Sequence, residues 1–148
     1  MAIEIERKFL VKNLDFIKES FEKKNIIQGY LSKDPLRIVR VRIEDNMAFL
    51  TIKGKSSKDG VSRLEIEKPI SLKEAKILIN ICLPDLIKKV RYVIKKNDSI
   101  FCVDVFNEKN NGLIIAEIEL DSKDSYYPVP EWLGEEVTGQ TRYYNSEL

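Results

Sequence analysis

Histidine is absent from the sequence, and its absence removes several kinds of active site. Neither a Ser-His-Asp nor a Cys-His triad can form, and no imidazole is present to act as a general acid or to ligate a metal. Any chemistry must therefore come from Asp, Glu, Lys, Arg and Tyr side chains, together with a hard cation that prefers oxygen ligands. The charged residues are for this reason the first candidates for a functional site.

Cysteine and long apolar runs are scarce as well. The two cysteines, Cys82 and Cys102, lack CxxC spacing, so a structural zinc site is not expected and we predict buried free thiols. No apolar stretch is long enough to span a bilayer and no signal peptide is recognisable, which predicts a cytoplasmic protein without a membrane partner. The tripeptide Gly54-Lys55-Ser56 lacks the full spacing and the strand–loop–helix context of a phosphate-binding P-loop.

The sequence also lacks an excess of either charge sign. Its 25 basic and 24 acidic residues leave a net charge of +1, whereas a nucleic-acid-binding or membrane-surface protein normally carries a basic excess or patch. We therefore expect no nucleic-acid partner, and any functional charges must be arranged locally. At 148 residues and 43% hydrophobic content, residues 1–148 are expected to form a single domain with a sizeable core.

What the sequence does contain is a repeated pattern of charges on one face of predicted strands. Ile3–Val11 alternates as a β-strand and places Glu4, Glu6 and Lys8 on one face, opposite a mainly apolar face. The same spacing recurs in two further E-x-E pairs and two basic pairs, with three more charges in phase: Glu65/Glu67, Glu117/Glu119, Arg40/Arg42, Lys89/Arg91, Lys53, Arg63 and Asp104. One such strand is typical of the solvated side of an antiparallel sheet, but its repetition points to a shared site.

The rest of the chain is predicted to consist mainly of strands. Alternation and turn signals place them at Ile26–Ser32, Leu36–Glu44, Met47–Lys53, Val61–Lys68, Leu86–Lys96, Ile100–Asn107 and Leu113–Asp121. With the first strand these make about eight strands, which predicts an antiparallel-rich α+β fold.

Two helices and one helical turn are also predicted. The first helix runs from an N-cap at Asn13 to about Lys24, with its apolar positions at Leu14, Ile17 and Phe21. The second begins at the capping box Ser71-Leu-Lys-Glu74 and ends at about Ile81. A short helical turn is predicted at Glu131–Leu133.

Two architectures accommodate this pattern. An open sheet would bury its apolar face under the helices and leave the charged face in water. A closed barrel would instead turn the charged faces toward a water-filled tunnel, because burying even one unpaired ion costs several kcal/mol. The closed form is favoured, since nearly every strand has an apolar face and two helices provide little cover. Adjacent Glu and Arg pairs are also unusual on solvated strands.

A tunnel of this kind suits metal-dependent phosphoryl chemistry. Converging arginines and lysines bind phosphate oxygens, and Arg does so bidentately. Clustered carboxylates would repel that anion unless Mg²⁺ or Mn²⁺ lay between them, and both ions prefer oxygen ligands. The alternative is cross-strand salt bridging on an exposed sheet, and the spacing by itself leaves both interpretations open.

These residues resemble the CYTH, or triphosphate tunnel metalloenzyme, superfamily, and in particular its short bacterial members. The N-terminal E-x-E-x-K motif is present as Glu4, Glu6 and Lys8. The resemblance continues through Gln28–Leu31, Arg40–Arg42, Thr51–Gly54, Glu65–Glu67, Lys89–Tyr92, Asp104–Phe106, Ala116–Leu120 and Glu136–Asn145. It implies an eight-stranded antiparallel closed β-barrel, with a charged interior and flanking helices, that binds triphosphates with Mg²⁺ or Mn²⁺.

The resemblance also implies roles for individual residues. The phosphate-binding residues would be Lys8, Arg40, Arg42, Lys53, Lys89 and Arg91, and the metal ligands Glu4, Glu6, Glu117 and Glu119. Of these, Lys8, Glu4 and Glu6 would be catalytic, with Lys8 either orienting substrate or assisting proton movement. The remaining tunnel acids, which would hold a second metal or orient basic groups, are Glu65, Glu67 and Asp104. Arg63 matches less firmly, and a short C-terminal helix with Tyr143 and Tyr144 would close one mouth.

For the short bacterial members the resemblance implies hydrolysis of inorganic tripolyphosphate to pyrophosphate and phosphate. The enzymatic alternatives within the superfamily are a nucleoside or thiamine triphosphatase and a class IV-type adenylate cyclase. A different class of protein would be a non-catalytic module that binds polyphosphate or nucleotide, although such a module could dispense with the metal-binding carboxylates. The expected partner is a small-molecule triphosphate, and the protein is expected to be a monomer or a homodimer.

Overall fold

The structure is a computed structural model that describes residues 3–148. Nine strands and two α-helices follow one another along the chain: β1 (Ile3–Val11), α1 (Phe16–Glu19), β2 (Glu22–Ser32), β3 (Ile38–Glu44), β4 (Met47–Lys53), β5 (Ser62–Ile70), α2 (Leu72–Asn80), β6 (Ile87–Lys96), β7 (Ser99–Phe106), β8 (Ile114–Glu119) and β9 (Leu133–Glu136). Single 3₁₀ turns lie at Glu108–Asn110, Thr141–Tyr143 and Asn145–Glu147. No helix within residues 3–148 is both long enough and apolar enough to cross a membrane.

The strands close into an antiparallel barrel. Hydrogen-bonded neighbours follow the order β5-β4-β3-β2-β6-β7-β8-β1, and a further pairing of β1 with β5 joins the two ends. That closing contact is short, running from Ile3 opposite Leu64 to Ile5 opposite Ser62. β9 then pairs with the last residues of β1, where Val11 lies opposite Leu133. The predicted eight-stranded closed barrel is therefore confirmed, and the open, exposed sheet is wrong.

The outer faces of the strands are covered by two apolar clusters. In the larger one, the Phe16 ring of α1 contacts the Trp132 ring edge-on with 5.9 Å between centroids, and Phe101 contacts Trp132 at 5.4 Å. In the smaller one, α2 packs Ala75 against Val41 of β3. The barrel thus buries apolar surface outside its wall and leaves the inner face to the charged residues.

One end of the barrel interior is closed by apolar side chains. Tyr30, Ile38, Ile87, Phe106 and Ile115 form a buried cluster against the C-terminal residues Tyr143 and Leu148. Each of the five lies two residues from an inward-facing polar residue on its own strand, so it faces the same side of the sheet. The C-terminal segment therefore closes the tunnel at this end.

The predicted helix from Asn13 to Lys24 is wrong. Only Phe16–Glu19 is helical, and its buried residue is Phe16, whereas Leu14 is 59% and Phe21 is 61% exposed. β2 already begins at Glu22, and its first residues pair with Val93, Tyr92 and Arg91 of β6. A helix to Lys24 would have removed these strand pairings, so the sheet prevails over the local apolar spacing.

Two smaller expectations also need correction. The helical turn expected at Glu131–Leu133 is a tight turn that leads directly into β9. Both cysteines are free thiols, as expected, but each is half-buried.

The second helix is confirmed, and its capping box forms at Ser71 and Glu74 with two hydrogen bonds of 3.0 Å.

Candidate active site

The barrel encloses a cavity of about 270 Å³ whose walls are mostly charged. The residues predicted for the site converge on it from six strands: Glu4, Glu6, Lys8, Arg40, Arg42, Lys53, Glu65, Glu67, Lys89, Arg91, Glu117 and Glu119. Asp104 lies behind this wall, 1% exposed, and does not line the cavity. Antiparallel pairing explains the convergence, because residues opposite each other point to the same side of the sheet. Lys8 lies opposite Glu117, for example.

Asp104 anchors two of the basic residues. Its carboxylate accepts hydrogen bonds from Arg91 Nε at 2.7 Å and Nη2 at 2.9 Å, and it lies 2.8 Å from Lys89 Nζ. Burial opposes the ionisation of Asp104, but Arg91 and Lys89 outweigh it, so the pKa of Asp104 is held well below its usual range. Burial also lowers the pKa of Lys89 to about 7, with Asp104 offsetting only part of the effect. Asp104 therefore fixes the positions of both cations.

Lys53 bridges two carboxylates on the opposite wall. Its ammonium lies 3.2 Å from Glu4 Oε1 and 3.2 Å from Glu65 Oε2. Burial, followed by a hydrogen bond with Glu65, raises the pKa of Glu4 to about 7, although Lys53 acts in the other direction. The pKa of Glu65 falls despite its burial, because the contact with Glu4 and the charge of Lys53 favour the ionised form.

Glu6 and Glu117 both line the cavity, and their charges repel each other, yet their pKa values move in opposite directions. Burial, and then repulsion from Glu117 and Glu4, raises the pKa of Glu6 to about 8. Glu117 is equally buried, but attraction to Lys8, whose Nζ is 3.6 Å away, outweighs burial and lowers its pKa to about 2. The same carboxylates, Glu117 and Glu6, raise the pKa of Lys8 against the effect of burial. The site therefore contains a Lys8–Glu117 ion pair and, beside it, a Glu6 carboxyl group whose ionised form is unfavourable.

The two arginines of β3 are buried but only partly hydrogen-bonded. Arg40 Nη2 donates to Thr51 Oγ1 at 3.1 Å, and Arg42 Nη2 donates to Glu67 Oε1 at 3.1 Å. The Nε atoms of both arginines are buried without a hydrogen-bond partner in the described chain. Burial, with the charges of Arg40 and Arg91, lowers the pKa of Arg42. Both guanidinium groups therefore have donors available for an anion in the cavity.

The carboxylates are arranged loosely for a metal ion. Glu119 is exposed, and burial of part of its side chain together with the charge of Glu4 raises its pKa. Among residues 3–148, no group of three or more carboxylate or thiol side chains lies close enough together to hold a metal ion. A cation held between Glu4, Glu6 and Glu119 would therefore take further oxygen ligands from a bound anion or from water.

The C-terminal segment contributes one residue, Asn145, and several side-chain contacts that the sequence pattern did not predict. Asn145 Oδ1 accepts hydrogen bonds from Lys89 Nζ at 2.8 Å and from Gln28 Nε2 at 3.2 Å. The ring of Tyr144 lies 5.3 Å from Lys8 Nζ and 5.5 Å from the Arg63 guanidinium carbon, at the cavity wall. Only the R-Y-Y-N run near the C-terminus signals these contacts.

Tyr143 and Tyr144 lie at the closed end, as expected, but not in one helix: Tyr143 ends the 3₁₀ turn Thr141–Tyr143, and Tyr144 lies between this turn and the next. The Tyr143 carbonyl accepts a hydrogen bond from Lys8 Nζ at 3.4 Å, and the Tyr143 side chain packs in the apolar cluster that closes the barrel. Arg63 does line the cavity, opposite Glu4 in the β1–β5 register.

A closed antiparallel barrel with basic and acidic residues facing one internal cavity defines a charged β-tunnel protein. The CYTH domain model matches residues 2–147, and the chain belongs to the CYTH family. It is 42% identical to an inorganic triphosphatase of Acetivibrio thermocellus, covering 100% of this chain and 94% of that protein. It is 35% identical to an inorganic triphosphatase of Nitrosomonas europaea, covering 98% of this chain and 95% of that protein.

A solved structure is similar over almost the whole chain. The crystal structure of an inorganic triphosphatase has a TM-score of 0.68 and 32% identity, and the match covers 97% of this chain and 95% of that one. The likeness therefore extends to both the sequence and the fold.

Proposed function

We propose that this protein is a metal-dependent inorganic triphosphatase, which hydrolyses tripolyphosphate to pyrophosphate and phosphate. The observation that carries the proposal is the convergence of seven basic side chains and a group of carboxylates on one cavity inside a closed barrel. The names of two full-length relatives, both inorganic triphosphatases, support it. Residues 1–148 would act as one triphosphate-tunnel domain.

The basic residues would bind the phosphate groups. Arg40 and Arg42 have unsatisfied Nε donors, and a guanidinium binds phosphate oxygens bidentately. Lys89 and Arg91, which Asp104 holds in place, would supply positive charge from the neighbouring strand. Lys53 would act beside them once its two carboxylate partners interact with a cation instead. Together these residues would fix the anion in one orientation and neutralise part of its charge.

The carboxylates fit a divalent cation, which we propose is Mg²⁺ or Mn²⁺. Glu4 and Glu6 are half-buried carboxylates with pKa values raised to about 7 and about 8, so nearby positive charge would stabilise their ionised forms. Their oxygen donors are the type that both ions prefer. Glu4, Glu6, Glu117 and Glu119 would hold this ion together with oxygen atoms of the bound anion or of water, because within residues 3–148 no three carboxylates lie close enough to do so by themselves. Glu65 and Glu67 would orient basic groups or hold a second ion. When bound, such an ion would neutralise phosphate charge and make water a better nucleophile.

Hydrolysis would then proceed by in-line displacement. The oxygen of a water molecule would bond to a terminal phosphorus atom, the bridging P–O bond would break, and pyrophosphate would leave with the electron pair of that bond, while the attacking water would lose a proton to the surrounding water. Lys8 would bind and orient the reacting phosphate, because Glu117 and the Tyr143 carbonyl hold its ammonium beside the cavity. The buried guanidinium groups would stabilise the negative charge that develops on the phosphate oxygens.

The alternative functions differ in substrate or in turnover. A nucleoside or thiamine triphosphatase would use the same tunnel for a larger substrate, and a class IV-type cyclase would need contacts to adenine. A binding module would hold the anion without cleaving it. The small-molecule triphosphate partner belongs to this proposal, whereas the cytoplasmic location, the monomeric or homodimeric state and the absence of nucleic-acid and membrane partners stay predictions.

The proposal is tested by phosphate release from tripolyphosphate, ATP and thiamine triphosphate, each with Mg²⁺, Mn²⁺ or EDTA. We expect the highest kcat/KM for tripolyphosphate, with activity only where a divalent ion is present. Preference for ATP or thiamine triphosphate would favour the alternative hydrolases. Binding of tripolyphosphate without phosphate release would favour the binding module.

A further inference from the structure

The tunnel has one closed end and one open end. Tyr30 and Phe106 belong to the apolar cluster that closes the barrel against the C-terminal segment. On β7, Phe106 lies at one end of the strand and Ile100 near the other, and Ile100 is an exposed residue of the cavity wall. Glu119, also exposed at the wall, ends β8, whereas Ile115 of the closing cluster lies near its start. A linear anion therefore enters past Ile100 and Glu119, and only its leading end can reach the closed end.

Asn145 lies in the polar layer next to the closing cluster. Its Oδ1 atom accepts hydrogen bonds from Lys89 Nζ at 2.8 Å and from Gln28 Nε2 at 3.2 Å. Lys89 Nζ lies 5.3 Å from the centroid of the Phe106 ring, and Gln28 Nε2 also donates to the Tyr30 hydroxyl at 3.2 Å. Both partners of Asn145 thus touch the apolar residues that close the tunnel.

These contacts fix the orientation of the Asn145 amide. An ammonium group has donors and no acceptor, so Oδ1 and not Nδ2 must face Lys89. Within residues 3–148, Nδ2 forms no hydrogen bond, and it is not among the buried atoms that lack a partner. Asn145 lines the tunnel cavity. Its two N–H donors are therefore available to an anion in the tunnel.

Two ammonium groups lie near the Asn145 amide. Lys89 contacts it directly, and the carboxylate that pairs with Lys89 lies behind the cavity wall. Lys8 Nζ donates to the carbonyl of Tyr143, two residues before Asn145, at 3.4 Å and lies 3.6 Å from Glu117. An unesterified terminal phosphate carries more negative charge, and one more free oxygen, than an internal or esterified phosphate. The two cations and the amide donors therefore suit the free end of a phosphate chain.

We propose that Asn145 binds the unesterified terminal phosphate of the substrate at the closed end of the tunnel, with Nδ2 as the donor. The proposal rests on the proposed function and adds the residue that recognises the end of the phosphate chain. Asn145 would otherwise act only as a positioning residue, whose Oδ1 holds Lys89 in place. The two roles use different atoms of one side chain, so substitutions can separate them.

The test compares two substitutions of Asn145. Asn145→Asp keeps an oxygen acceptor for Lys89 and Gln28 but removes the Nδ2 donor, whereas Asn145→Ala removes both. We expect kcat/KM for tripolyphosphate to fall roughly tenfold or more in Asn145→Ala, mainly through KM. Asn145→Asp should lose at least as much, because its charge also repels the anion. Asn111→Asp, at an exposed position outside the cavity, is the matched control and should stay within about twofold of wild type.

The order of the two variants decides between the roles. Higher kcat/KM in Asn145→Asp than in Asn145→Ala would show that Asn145 acts only through Lys89, and it would overturn the proposal. Wild-type kinetics in Asn145→Ala would overturn it as well. Melting temperatures show which variants fold. Should Asn145→Ala fail to fold, Asn145→Asp decides against its control: a roughly tenfold loss supports the contact, and wild-type kcat/KM removes it.

Recognition of the chain end is tested with methylated triphosphates as inhibitors of tripolyphosphate cleavage. A triphosphate methylated at one end still has a free terminal phosphate, whereas one methylated at both ends has none. For the wild type we expect the diester to inhibit at least about tenfold more weakly than the monoester, and this ratio should shrink in Asn145→Ala. Equal inhibition by the two esters, or a ratio unchanged in Asn145→Ala, would overturn the proposal.

Failure of the proposed function gives a different result. If the wild type does not cleave tripolyphosphate, the hydrolase assignment fails, and calorimetric titration with tripolyphosphate and Mg²⁺ decides the role of Asn145. Weaker binding by both Asn145 variants than by Asn111→Asp supports the contact. Equal binding by all of these proteins, or no binding by the wild type, overturns it.

Discussion

At the scale of single residues, Glu6 shows how the fold places a carboxylate where its charge is unfavourable. Its side chain faces the interior, opposite Glu119 in the β1–β8 register, and its pKa is raised to about 8 by burial and by repulsion from Glu117 and Glu4. Folded proteins rarely retain such a group without a partner. We therefore attribute its presence to the binding of a cation in the proposed reaction.

Glu6→Gln should abolish turnover without weakening the fold. Glutamine keeps the volume but removes the charge, so we expect kcat for tripolyphosphate to fall at least about 100-fold. Since repulsion from Glu4 and Glu117 is also removed, the melting temperature should stay the same or rise. Glu135→Gln, an exposed residue of β9 outside the cavity, is the matched control and should retain full activity. Wild-type turnover of the Glu6 variant would remove Glu6 from the site.

Arg40→Ala should act on substrate binding. The Arg40 side chain has one hydrogen bond, to Thr51, and an unsatisfied Nε atom, so its donors are available for a phosphate group. We expect KM for tripolyphosphate to rise roughly tenfold or more, with a smaller change in kcat. The control is Arg37→Ala, because Arg37 is exposed and pairs only with Asp34. If steady-state kinetics of the Arg40 variant matched wild type, the phosphate-binding role would be wrong.

The sequence predicted which residues face the tunnel, but not the electrostatics within it. Strand alternation was sufficient to align Glu4, Glu6 and Lys8, since the side-chain period of a strand is two. The opposite pKa shifts of Glu6 and Glu117 depend on which cations lie within a few ångströms, and that depends on strand register. Asn145 was not predicted for the same reason, because it reaches Lys89 only through the fold of the C-terminal segment.

At the scale of elements, the strands were predicted better than the short connecting segments. Each of the eight barrel strands has alternating residues or clear turn signals. β9 has only four residues, Leu133–Glu136, without such alternation, and its pairing with β1 is a long-range contact that no local signal reveals. The first helix was overpredicted because Leu14, Ile17 and Phe21 have helical spacing. Phe16, however, is the residue that the core buries.

Gly29 constrains how two elements pack, because it lets the segment between α2 and β6 approach β2. A Cβ atom at Gly29 would lie 2.7 Å from Leu86 Cδ2, 2.8 Å from Cys82 Sγ and 2.9 Å from Cys82 Cβ. Gly29→Ala should therefore lower the free energy of unfolding by about 1–3 kcal/mol, measured by urea denaturation. Adding Cys82→Ala removes the Sγ contact, so the double variant should lose less stability than the sum of the single variants. Strict additivity would contradict this packing account.

The capping box of α2 gives a pH-dependent contribution to stability. Hydrogen bonds from the Ser71 backbone and side chain lower the pKa of Glu74 below its ordinary 4.5. A carboxylate with a depressed pKa in the folded state stabilises the protein above its unfolded pKa, and this effect is lost as the pH falls through the folded value. The stability difference between wild type and Glu74→Ala should therefore be constant near neutral pH and shrink as the pH falls below 4.5.

Urea denaturation of both proteins across this pH range checks the prediction. Glu74→Gln serves as the control, since an amide keeps an acceptor oxygen but does not titrate in this range. A difference between wild type and Glu74→Ala that persisted unchanged in acid would mean that the carboxylate does not contribute through the cap.

At the scale of the whole molecule, closure of the barrel brings thirteen charged side chains, which are far apart in the sequence, to the wall of one cavity. The β1–β5 pairing that completes it has only three residue pairs, and sequence spacing by itself did not distinguish this arrangement from an open sheet. The apolar faces of nearly every strand and the adjacent Glu and Arg pairs favoured the closed form, the resemblance to the CYTH family implied it, and the structure confirms it. Closure matters chemically because it brings the basic strands β3 and β6 into the same cavity as the glutamates of β1 and β8.

The central claim is that this cavity cleaves tripolyphosphate with the help of a divalent ion. We would therefore follow tripolyphosphate by ³¹P NMR in the presence of the protein, once with Mg²⁺ or Mn²⁺ and once with EDTA. The account predicts that pyrophosphate and phosphate appear in equal amounts with the metal and that neither appears with EDTA. Tripolyphosphate that stayed intact with both metals, or was cleaved equally well in EDTA, would contradict it.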